Sequence, residues 1–451
     1  MNSRTRLTTL IVAGITVILA AAIALTTMAL SRPKEATRPD PVAATVPVAL
    51  KAEGLPKDFS IGVVLTLGQS GEPGSEYNRA AQGAIVAAQR FAQGGAAVAL
   101  SAQNDRGTED GARAAVHALA EQGASGVIVA TTGAPARAAA KTAEELGLPA
   151  ILPYAEPSDP AQTTWTTRPS GASVAAALRT ALNGKNRVLL VGDGGEIPAS
   201  VGISQTLNLD GFDAVMDLAQ EAAIRTGDQL RPPAGDAPAG AGSTRDAEPA
   251  DAVVVSAATP QRLARLVQAL QARDVSVPVV IPDGATAPAF ASTLSELDGA
   301  ASGHLVSVAP AGGDATALQQ DAQGRGMSAF LSAVRLASGD PKVKNLTGDA
   351  AFSADAWAAD SRSHDAVVAL VRAAASAGSG EPSKVGAALR TMSFGPGEGL
   401  AGPALDFSRS AALTAEAIPV YASPQDLGLR PPDEAAPRLV WVPAPVAPAN
   451  P

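Results

Sequence analysis

The polar turn Thr131-Thr132-Gly133 is the clearest candidate for a functional site in the sequence. It follows the apolar run GVIVA and precedes an Ala-rich helical run, so it leaves the carboxyl end of a buried strand. Open α/β sheets bind ligands at such strand ends, and the unpaired backbone N–H groups at a helix start favour an anion. The turn therefore predicts a site for a small anionic group, although Thr and Gly also suit a turn that binds nothing.

No catalytic pattern accompanies this turn. The GxxxxGK(S/T) phosphate loop, the GxSxG nucleophile elbow and the HExxH metal motif are absent, and VGDGGEI lacks the GxGxxG spacing of a dinucleotide site. The absence of cysteine excludes disulfides, thiolate catalysis and a lipid-bearing N-terminal Cys. His117, His304 and His364 are far apart and are predicted to be surface or packing residues. We therefore predict a binding protein rather than an enzyme, with no cofactor and no metal.

Alternating strands and helices must position the turn. Apolar strands are predicted at FSIGVVLTL, AAVALSA, GVIVA and LPAIL, with amphipathic helices between them and Thr108 as a helix cap. After a break rich in Pro, Ser and Thr, the pattern resumes with SVAAALRTAL, RVLLVGD, DAVVVSAA, a helix and VPVVIPDG. Continuous apolar strands separated by helices indicate parallel sheets covered on both faces. The predicted fold class is therefore α/β, with two successive βα halves.

The remaining segments carry weaker patterns. A helix is predicted near Ile197–Leu209 and a strand at FDAVMDL, followed by a disordered or looped Pro- and Gly-rich insertion from Ile224 to Pro249. Later elements are the strand HLVSVAP, helices near Met327–Ser338 and Trp357–Ala375, and the strands PALDF and AIPVYAS. The Pro-rich end, from Ser423 to Pro451, is predicted to be irregular or extended.

Length, composition and charge limit the class of protein. The chain has 451 residues, enough for two or three domains, and its hydrophobic content of 46% includes only 3% aromatic residues. Such a composition, rich in Ala and Gly, suits close packing of helices on sheets. Lys and Arg total 34 against 43 acidic residues, a net charge of −9. Because phosphate binding needs a basic surface, we predict no nucleic-acid partner.

The N-terminus carries the clearest topological signal. The uncharged apolar stretch from Leu7 to Ser31 is flanked by basic residues. It exceeds the about 20 residues that a spanning helix needs and the roughly 7–15-residue apolar core of a signal peptide. We predict a single-pass membrane anchor over residues 1–31, a Pro-rich tether over residues 32–57 and an extracytoplasmic body. Ala22-Ile23-Ala24 leaves open the alternative of secretion after cleavage.

Several segments resemble the type I periplasmic binding proteins, which include the leucine/isoleucine/valine-binding receptors of ABC importers. GAIVAAQRFAQGG resembles the family pattern GAxxAxxxxNxxGG, and AEELGLPAILP resembles aeexgvPxisp. The likeness continues through RVLLVGD and through SHDAVVALVRAAASAG, so it spans most of the chain from Asp58 to about Tyr421. Each motif is weak alone, but their order is specific for the fold.

The resemblance implies two doubly wound lobes, three hinge crossings and ligand-driven closure of a cleft. It places the first part of lobe I at residues 58–165, lobe II at 166–283 and the second part of lobe I at 284–402. Residues 403–422 are then strands that return towards lobe II, and residues 423–451 form a tail.

The resemblance also implies ligand contacts. The hydroxyl residue that holds a ligand carboxylate in the family falls on Gly133. The backbone N–H of Gly133 could still donate, and Thr132 could supply a hydroxyl if the turn shifts. Glu156 replaces a second family hydroxyl with a carboxylate, which repels a ligand carboxylate unless it is protonated or turned away. Asp283 matches the acidic residue that binds the ligand ammonium. The candidate ligand-binding residues are Ser70, Tyr77, Thr131, Thr132, Gly133, Tyr154, Ala155, Glu156, Glu196, Ser256 and Asp283.

Two functions compete at this point. The first is a membrane-tethered solute receptor that delivers an amino acid or similar polar molecule to an ABC permease. The second is a sensing or cell-envelope interaction ectodomain on the same fold. The uncleaved anchor, the insertion and the altered carboxylate contacts favour this second function. An enzyme that uses the same cleft is a distant third.

Overall fold

Residues 48–68, 73–157, 162–195, 201–230, 248–302, 304–433 and 436–443 are described by the computed structural model. The strands are β1 Ser60–Leu65, β2 Ala99–Asn104, β3 Val127–Val129, β4 Ala150–Leu152, β5 Thr164–Thr166, β6 Val188–Asp193, β7 Ile203–Asn208, β8 Ala252–Ala257, β9 Val279–Val280, β10 Leu305–Pro310, β11 Ser393–Phe394, β12 Leu405–Asp406, β13 Ala417–Ser423 and β14 Val440–Pro443. The helices are α1 Gly83–Gln93, α2 Glu109–Glu121, α3 Gly133–Glu145, α4 Gly171–Ala181, α5 Val215–Thr226, α6 Pro260–Gln271, α7 Pro288–Glu296, α8 Ala322–Gly339, α9 Ser361–Ala377 and α10 Pro382–Leu389.

Two lobes form around two separate sheets, as predicted. Within the described residues, the sheet of the first lobe has the order β2-β1-β3-β4-β5 and is parallel throughout. The sheet of the second lobe has the order β14-β13-β10-β9-β8-β6-β7, in which only β13 and β14 run antiparallel to their neighbours. The predicted α/β class with two parallel-sheet lobes is confirmed.

Strand β1 shows why the apolar runs are continuous. Ile61, Val63 and Leu65 face the core beneath α1 and α9, whereas Val64 faces the core beneath α2 and α3. Both faces of the sheet are therefore covered, and neither set of alternating side chains is left for water. The predicted cap is also confirmed, since the Thr108 hydroxyl accepts a hydrogen bond from Gly111 N (3.0 Å) at the start of α2.

The structure corrects the prediction between β6 and β8. The second half of the predicted helix near Ile197–Leu209 is strand β7, and the predicted strand FDAVMDL leads into helix α5. The short segment FDAVMDL conceals a helical period, because the apolar series continues at spacings of three and four from Val215 through Leu218 to Ala222. The predicted insertion also begins too early, since α5 extends to Thr226.

The second lobe extends beyond the predicted boundary at residue 284. Helix α7 buries Phe290 and Leu294 in the second-lobe core, and β10 pairs in parallel with β9. Consecutive elements are usually neighbours in space, so these elements complete the second lobe before the chain crosses back. Strand β12 packs in the first lobe through Leu405, and only β13, from AIPVYAS, reaches the second lobe as predicted.

Among the described residues, three hinge segments link the two lobes: residues 167–170, 311–321 and 407–416. The third of these lies beside the end of β5, where the first crossing begins, because Thr166 N donates to Ser410 O (2.8 Å) and Ala412 N donates to Thr166 O (2.9 Å). The lobes also touch elsewhere, since Arg79 Nη1 of the first lobe donates to Ser292 Oγ of the second (3.3 Å).

A further connection, which we name the strap, comprises the described residues 424–433 and 436–439. It leaves β13 in the second lobe and packs Leu429 against the α8 core of the first lobe. Arg335 Nη1 donates to Leu429 O (2.5 Å) and fixes that contact. The chain then returns to the second lobe as β14, antiparallel to β13. Of the predicted irregular or extended tail, residues 424–433 and 436–439 contain no helix or strand, and Val440–Pro443 form β14.

The predicted anchor over residues 1–31 lies outside the described residues, as do most of the predicted tether and residues 231–247 of the insertion. Among the helices that the structure describes, none combines the length and apolar character required to cross a membrane. The end of the predicted tether packs on the first lobe, where Leu50 is buried and its N–H donates to Arg90 O (2.9 Å).

Candidate ligand-binding site

A cleft of about 800 Å³ lies between the lobes. This volume falls within the roughly 300–1,000 Å³ of typical small-molecule sites. The carboxyl ends of β3, β4 and β8 open into the cleft, which is where ligands bind in open α/β sheets. The lining residues are Glu76, Tyr77, Thr132, Gly133, Arg137, Tyr154, Ala155, Glu156, Arg168, Gly171, Val174, Ala175, Leu178, Ser256, Ala257, Ala258, Thr259, Pro260, Leu263, Pro282 and Gly284.

The turn after β3 presents backbone to the cleft at Gly133. This residue is exposed and has φ +66°, a conformation that favours glycine. Thr132 precedes α3 without capping it, because its hydroxyl donates instead to Glu76 Oε2 (3.0 Å). The first N–H groups of α3 are therefore left to solvent or to a ligand. Thr131 points away from the cleft, since it is fully buried and its hydroxyl bonds that of Thr66 (2.7 Å).

Glu76 is a buried carboxyl group on the cleft wall that the sequence does not reveal. It lies in the short 3-10 helix Ser75–Tyr77 and is only 6% exposed. Gly74 permits this approach, because a Cβ at this position would overlap the Thr66 and Thr131 hydroxyls. Burial raises the pKa of Glu76, while the hydrogen bond from Thr132 lowers it and the nearby Asp105 carboxyl raises it further. Glu76 thus holds a proton at higher pH than an ordinary glutamate.

The raised pKa of Glu76 predicts a pH-dependent stability. The folded state binds the proton more tightly than the unfolded state, so the stabilisation is complete below pH 4.5 and is lost as the pH rises through the folded pKa. We expect Glu76→Gln, which keeps an acceptor for Thr132, to gain stability relative to the wild type as the pH rises from 4 to 7. Urea unfolding across this range measures the difference. Glu121→Gln at the exposed end of α2 is the control, and parallel curves for wild type and Glu76→Gln contradict the prediction.

Tyr77 and Tyr154 form a rigid wall of the cleft. Their rings are stacked, with centroids 4.1 Å apart and planes 3° apart. The Arg362 guanidinium lies 5.2 and 4.6 Å from the two ring centroids, and the Tyr154 hydroxyl donates to Asp360 Oδ1 (2.9 Å). Burial, together with Asp360, raises the pKa of Tyr154, so its phenol remains protonated. The tyrosine pair therefore presents an aromatic surface to the cleft. Its Tyr154 hydroxyl is already hydrogen-bonded to Asp360.

The second lobe contributes the β8–α6 turn and one face of α4. Ser256 is buried at the end of β8, and the Thr259 hydroxyl caps α6 by accepting from Arg262 N (3.3 Å). Val174 and Leu178 of α4 add an apolar surface. The wall from the second lobe is therefore mainly apolar, with polar groups at its strand ends.

Three solved structures that this chain resembles are named as binding proteins. An ABC transporter substrate-binding protein from Desulfitobacterium hafniense in complex with Leu shares 14% identity, with a TM-score of 0.56 over 85% of this chain and 99% of that one. A leucine binding protein from Thermotoga maritima shares 17%, with a TM-score of 0.55 over 82% and 96%. A periplasmic binding protein type 1 from Bordetella pertussis shares 16%, with a TM-score of 0.55 over 86% and 100%.

The chain has the type I periplasmic binding protein fold. No protein-family model matches the sequence, and no curated protein matches it. The three hinge crossings that the resemblance implies are present, and the strap adds a connection to them.

Within this periplasmic binding protein fold, the structure brings together most of the predicted site residues. Those that line the cleft are Tyr77, Thr132, Gly133, Tyr154, Ala155, Glu156 and Ser256. Thr131 lies behind the wall. Of Asp283 only the backbone is described, between the lining residues Pro282 and Gly284. Ser70 and Glu196 lie outside the described residues.

The sequence reasoning missed three charged lining residues: Glu76, Arg137 and Arg168. Arg137 lies four residues after Gly133, which is one helical turn along α3, so a search of the helix behind the turn would have found it. Arg168 lies near the end of the Pro-, Ser- and Thr-rich break, on the first hinge crossing. A Pro- and Ser-rich break between two βα halves is therefore a place to look for site residues.

Proposed function

We propose that the protein is a solute receptor that binds an amino acid or a similar small polar molecule in the cleft between its lobes. The observation that carries this proposal is the cleft itself. Residues of both lobes line it, and they provide uncapped helix N–H groups, charged side chains and an apolar surface. Such a mixture suits a small zwitterion better than an apolar or a polymeric ligand. The solved structures with this fold that are named for leucine binding support the proposal.

In this proposal, the ligand carboxylate binds the N–H groups at the start of α3, next to Gly133. The helix dipole favours a negative charge there, and the hydrogen bonds are charge-assisted. Glu76 lies beside this turn and offers an acceptor for the ligand ammonium. Pairing with a cation lowers the pKa of Glu76 again, so binding of the ammonium favours loss of the carboxyl proton.

Ligand binding favours closure of the lobes. The bound molecule contacts strand-end turns of both lobes, and only the closed form makes both sets of contacts. The contact between Arg79 and Ser292 joins the same two lobes and is compatible with a closed form.

The proposal places the body outside the cytoplasm, tethered by the apolar N-terminal segment and serving an ABC importer. The long uncharged stretch after the first basic residues supports the tether. The solved structures named as ABC transporter substrate-binding proteins support the importer. A receptor that binds its ligand but supports no uptake with any permease would instead be the sensing ectodomain.

A cleft-filling variant tests the proposed site. We expect one compound from a panel of amino acids, amides, polyamines and small acids to stabilise the full chain by about 2.7 kcal/mol at 100 times its Kd. Ala258 is exposed on the cleft wall, so Ala258→Trp should fold but lose this stabilisation. Thermal unfolding measures both effects.

Ala114→Trp on the exposed face of α2 is the matched control and should keep the full response. If no compound stabilises the wild type, the receptor proposal fails. If Ala258→Trp responds like the wild type, the ligand binds somewhere other than this cleft.

A further inference from the structure

The tyrosine wall of the cleft depends on one carboxylate behind it. The Tyr154 hydroxyl donates to Asp360 Oδ1 (2.9 Å), and Arg362 Nε donates to Asp360 Oδ2 (3.1 Å) while its guanidinium lies beside both tyrosine rings. The same carboxylate caps helix α9, because Asp360 Oδ1 accepts from Ser363 N (3.0 Å). Asp360 therefore fixes both the phenol and the cation beside it, and a displacement of Asp360 would move the Tyr154 ring.

Arg430 of the strap holds the chain at the residue before Asp360. Its Nη1 donates to Ala359 O (2.9 Å) and Ala356 O (3.2 Å), and its Nε and Nη2 bind the Asp314 carboxylate on the second hinge crossing. Burial lowers the pKa of Arg430, but the Asp314 and Asp360 carboxylates raise it and outweigh burial. Arg430 therefore interacts with Asp360 electrostatically as well as through the preceding backbone carbonyl.

These contacts connect the first-lobe wall of the cleft to a segment that is anchored in the second lobe. The segment before α9 is also held by the first lobe itself, since Asp360 N donates to Ala80 O (3.0 Å) and Arg79 pairs with Asp355 (3.3 Å). The strap is different, because it begins after β13 and ends at β14, both of which belong to the sheet of the second lobe. Arg430 thus adds a restraint on the wall that comes from outside the first lobe.

We propose that Arg430 is a positioning residue of the ligand site, which acts through Asp360 to hold Tyr154, and the Tyr77 ring stacked on it, in place. Arg430 is not one of the described residues that line the cleft, so it acts on the wall only through the residues between them. This inference rests on the proposed function for the use of the cleft. By linkage, a ligand that contacts the tyrosine wall in its held position also strengthens the attachment of the strap.

Selective isotope labelling of the full chain tests this role by NMR without any ligand. The chain has three tyrosines, Tyr77, Tyr154 and Tyr421, so tyrosine labelled with carbon-13 at the Cζ atom gives three signals. Variants in which one tyrosine at a time becomes phenylalanine assign them. We expect Arg430→Gln to move the Tyr154 signal by more than its linewidth, because the hydrogen bond from the phenol to Asp360 changes.

Arg438→Gln, at an exposed strap residue, is the matched control and should leave the Tyr154 signal unchanged. Arg430→Lys keeps the charge but loses the planar fork, so it should move the Tyr154 signal in the same direction by a smaller amount. If Arg430→Gln does not fold, the lysine variant is compared with the wild type in its place. An unchanged Tyr154 signal in the folded Arg430 variant overturns the inference while the receptor proposal stands, because no ligand is involved.

A double-mutant cycle gives a second measure of the same connection. Tyr154→Phe removes the hydroxyl that Asp360 holds, so Arg430→Gln has less to disturb in the Tyr154→Phe background. In urea unfolding, the combined variant should therefore lose less stability than the sum of the two single losses. The pair Arg438→Gln and Tyr154→Phe should be additive. Additive losses for Arg430→Gln and Tyr154→Phe would show that Arg430 stabilises the fold without positioning the wall, and would overturn the inference.

Discussion

Replacing Asp365 with Ala should lower the free energy of unfolding by about 3–5 kcal/mol, the cost of leaving a buried charge without its partner. The Asp365 carboxylate is 4% exposed and accepts hydrogen bonds from Ala401 N and Gly402 N, both at 2.8 Å. It also bonds His364 Nδ1 (2.7 Å), whose Nε2 faces Arg90 Nη1 (2.9 Å). Because a guanidinium can only donate, Nε2 accepts and Nδ1 carries the proton that is donated to Asp365. Burial lowers the pKa of His364, so a neutral imidazole links the buried cation to the buried anion.

The cost is large because this cluster joins distant parts of the first lobe. Arg90 is 2% exposed, and burial lowers its pKa to about 10. The Asp365 carboxylate acts in the opposite direction but does not cancel this effect. Arg90 Nε donates to Val48 O (3.0 Å), so Arg90 also binds the segment that precedes β1. Without the Asp365 charge, Arg90 remains buried with only neutral partners. The prediction that His364 is a packing residue agrees with this place, where it also packs edge-on against Phe330.

Urea unfolding followed by circular dichroism measures the effect, with the midpoint and the slope reported separately. Asp110→Ala on α2 is the control, because its ion pair with Arg113 is exposed and is worth at most about 1 kcal/mol. A loss for Asp365→Ala no larger than that for the control would show that the buried cluster adds little to stability.

Local sequence patterns predict the first lobe well and the site in part. The runs that become β1 and β3 are apolar on both faces, and the Thr108 cap lies where its hydroxyl and the following acidic residues indicate. The sequence could predict that the turn Thr131-Thr132-Gly133 lies at a strand end, because a strand followed by a helix is a local feature. Its ligand role stays a prediction.

Contacts between distant residues explain most of what the sequence could not predict. Glu76 reaches the cleft because Gly74 fits against Thr66 and Thr131, residues from two other strand ends. The end of the second lobe depends on β10 pairing with β9, and nothing in HLVSVAP alone specifies that partner. Helix α5 differs from these cases, because its apolar period is local and is visible in a window longer than FDAVMDL.

The strap is another long-range feature, and one arginine, Arg430, bonds it to other parts of the fold. Arg430 forms two hydrogen bonds with the Asp314 carboxylate, from Nε (2.5 Å) and from Nη2 (2.9 Å). Its Nη1 donates to Ala356 O (3.2 Å) and Ala359 O (2.9 Å) of the first lobe. Asp314 lies on the second hinge crossing. Arg430 therefore joins the strap, a hinge crossing and the first lobe at one point, where its bonds can restrain rotation of the lobes.

We expect Arg430→Ala to lower the free energy of unfolding by about 1.5–3 kcal/mol, the range for hydrogen bonds to charged groups. We also expect it to widen the range of interlobe distances without ligand, since the strap then restrains the hinge less. Because the chain has no native cysteine, Ala114→Cys and Ala272→Cys, exposed in the first and second lobes, can carry a specific pair of spin labels. Arg438→Ala, an exposed strap residue, is the matched control. If both variants give the same distance distribution, the strap is only a packing segment and the three hinge crossings alone set the motion of the lobes.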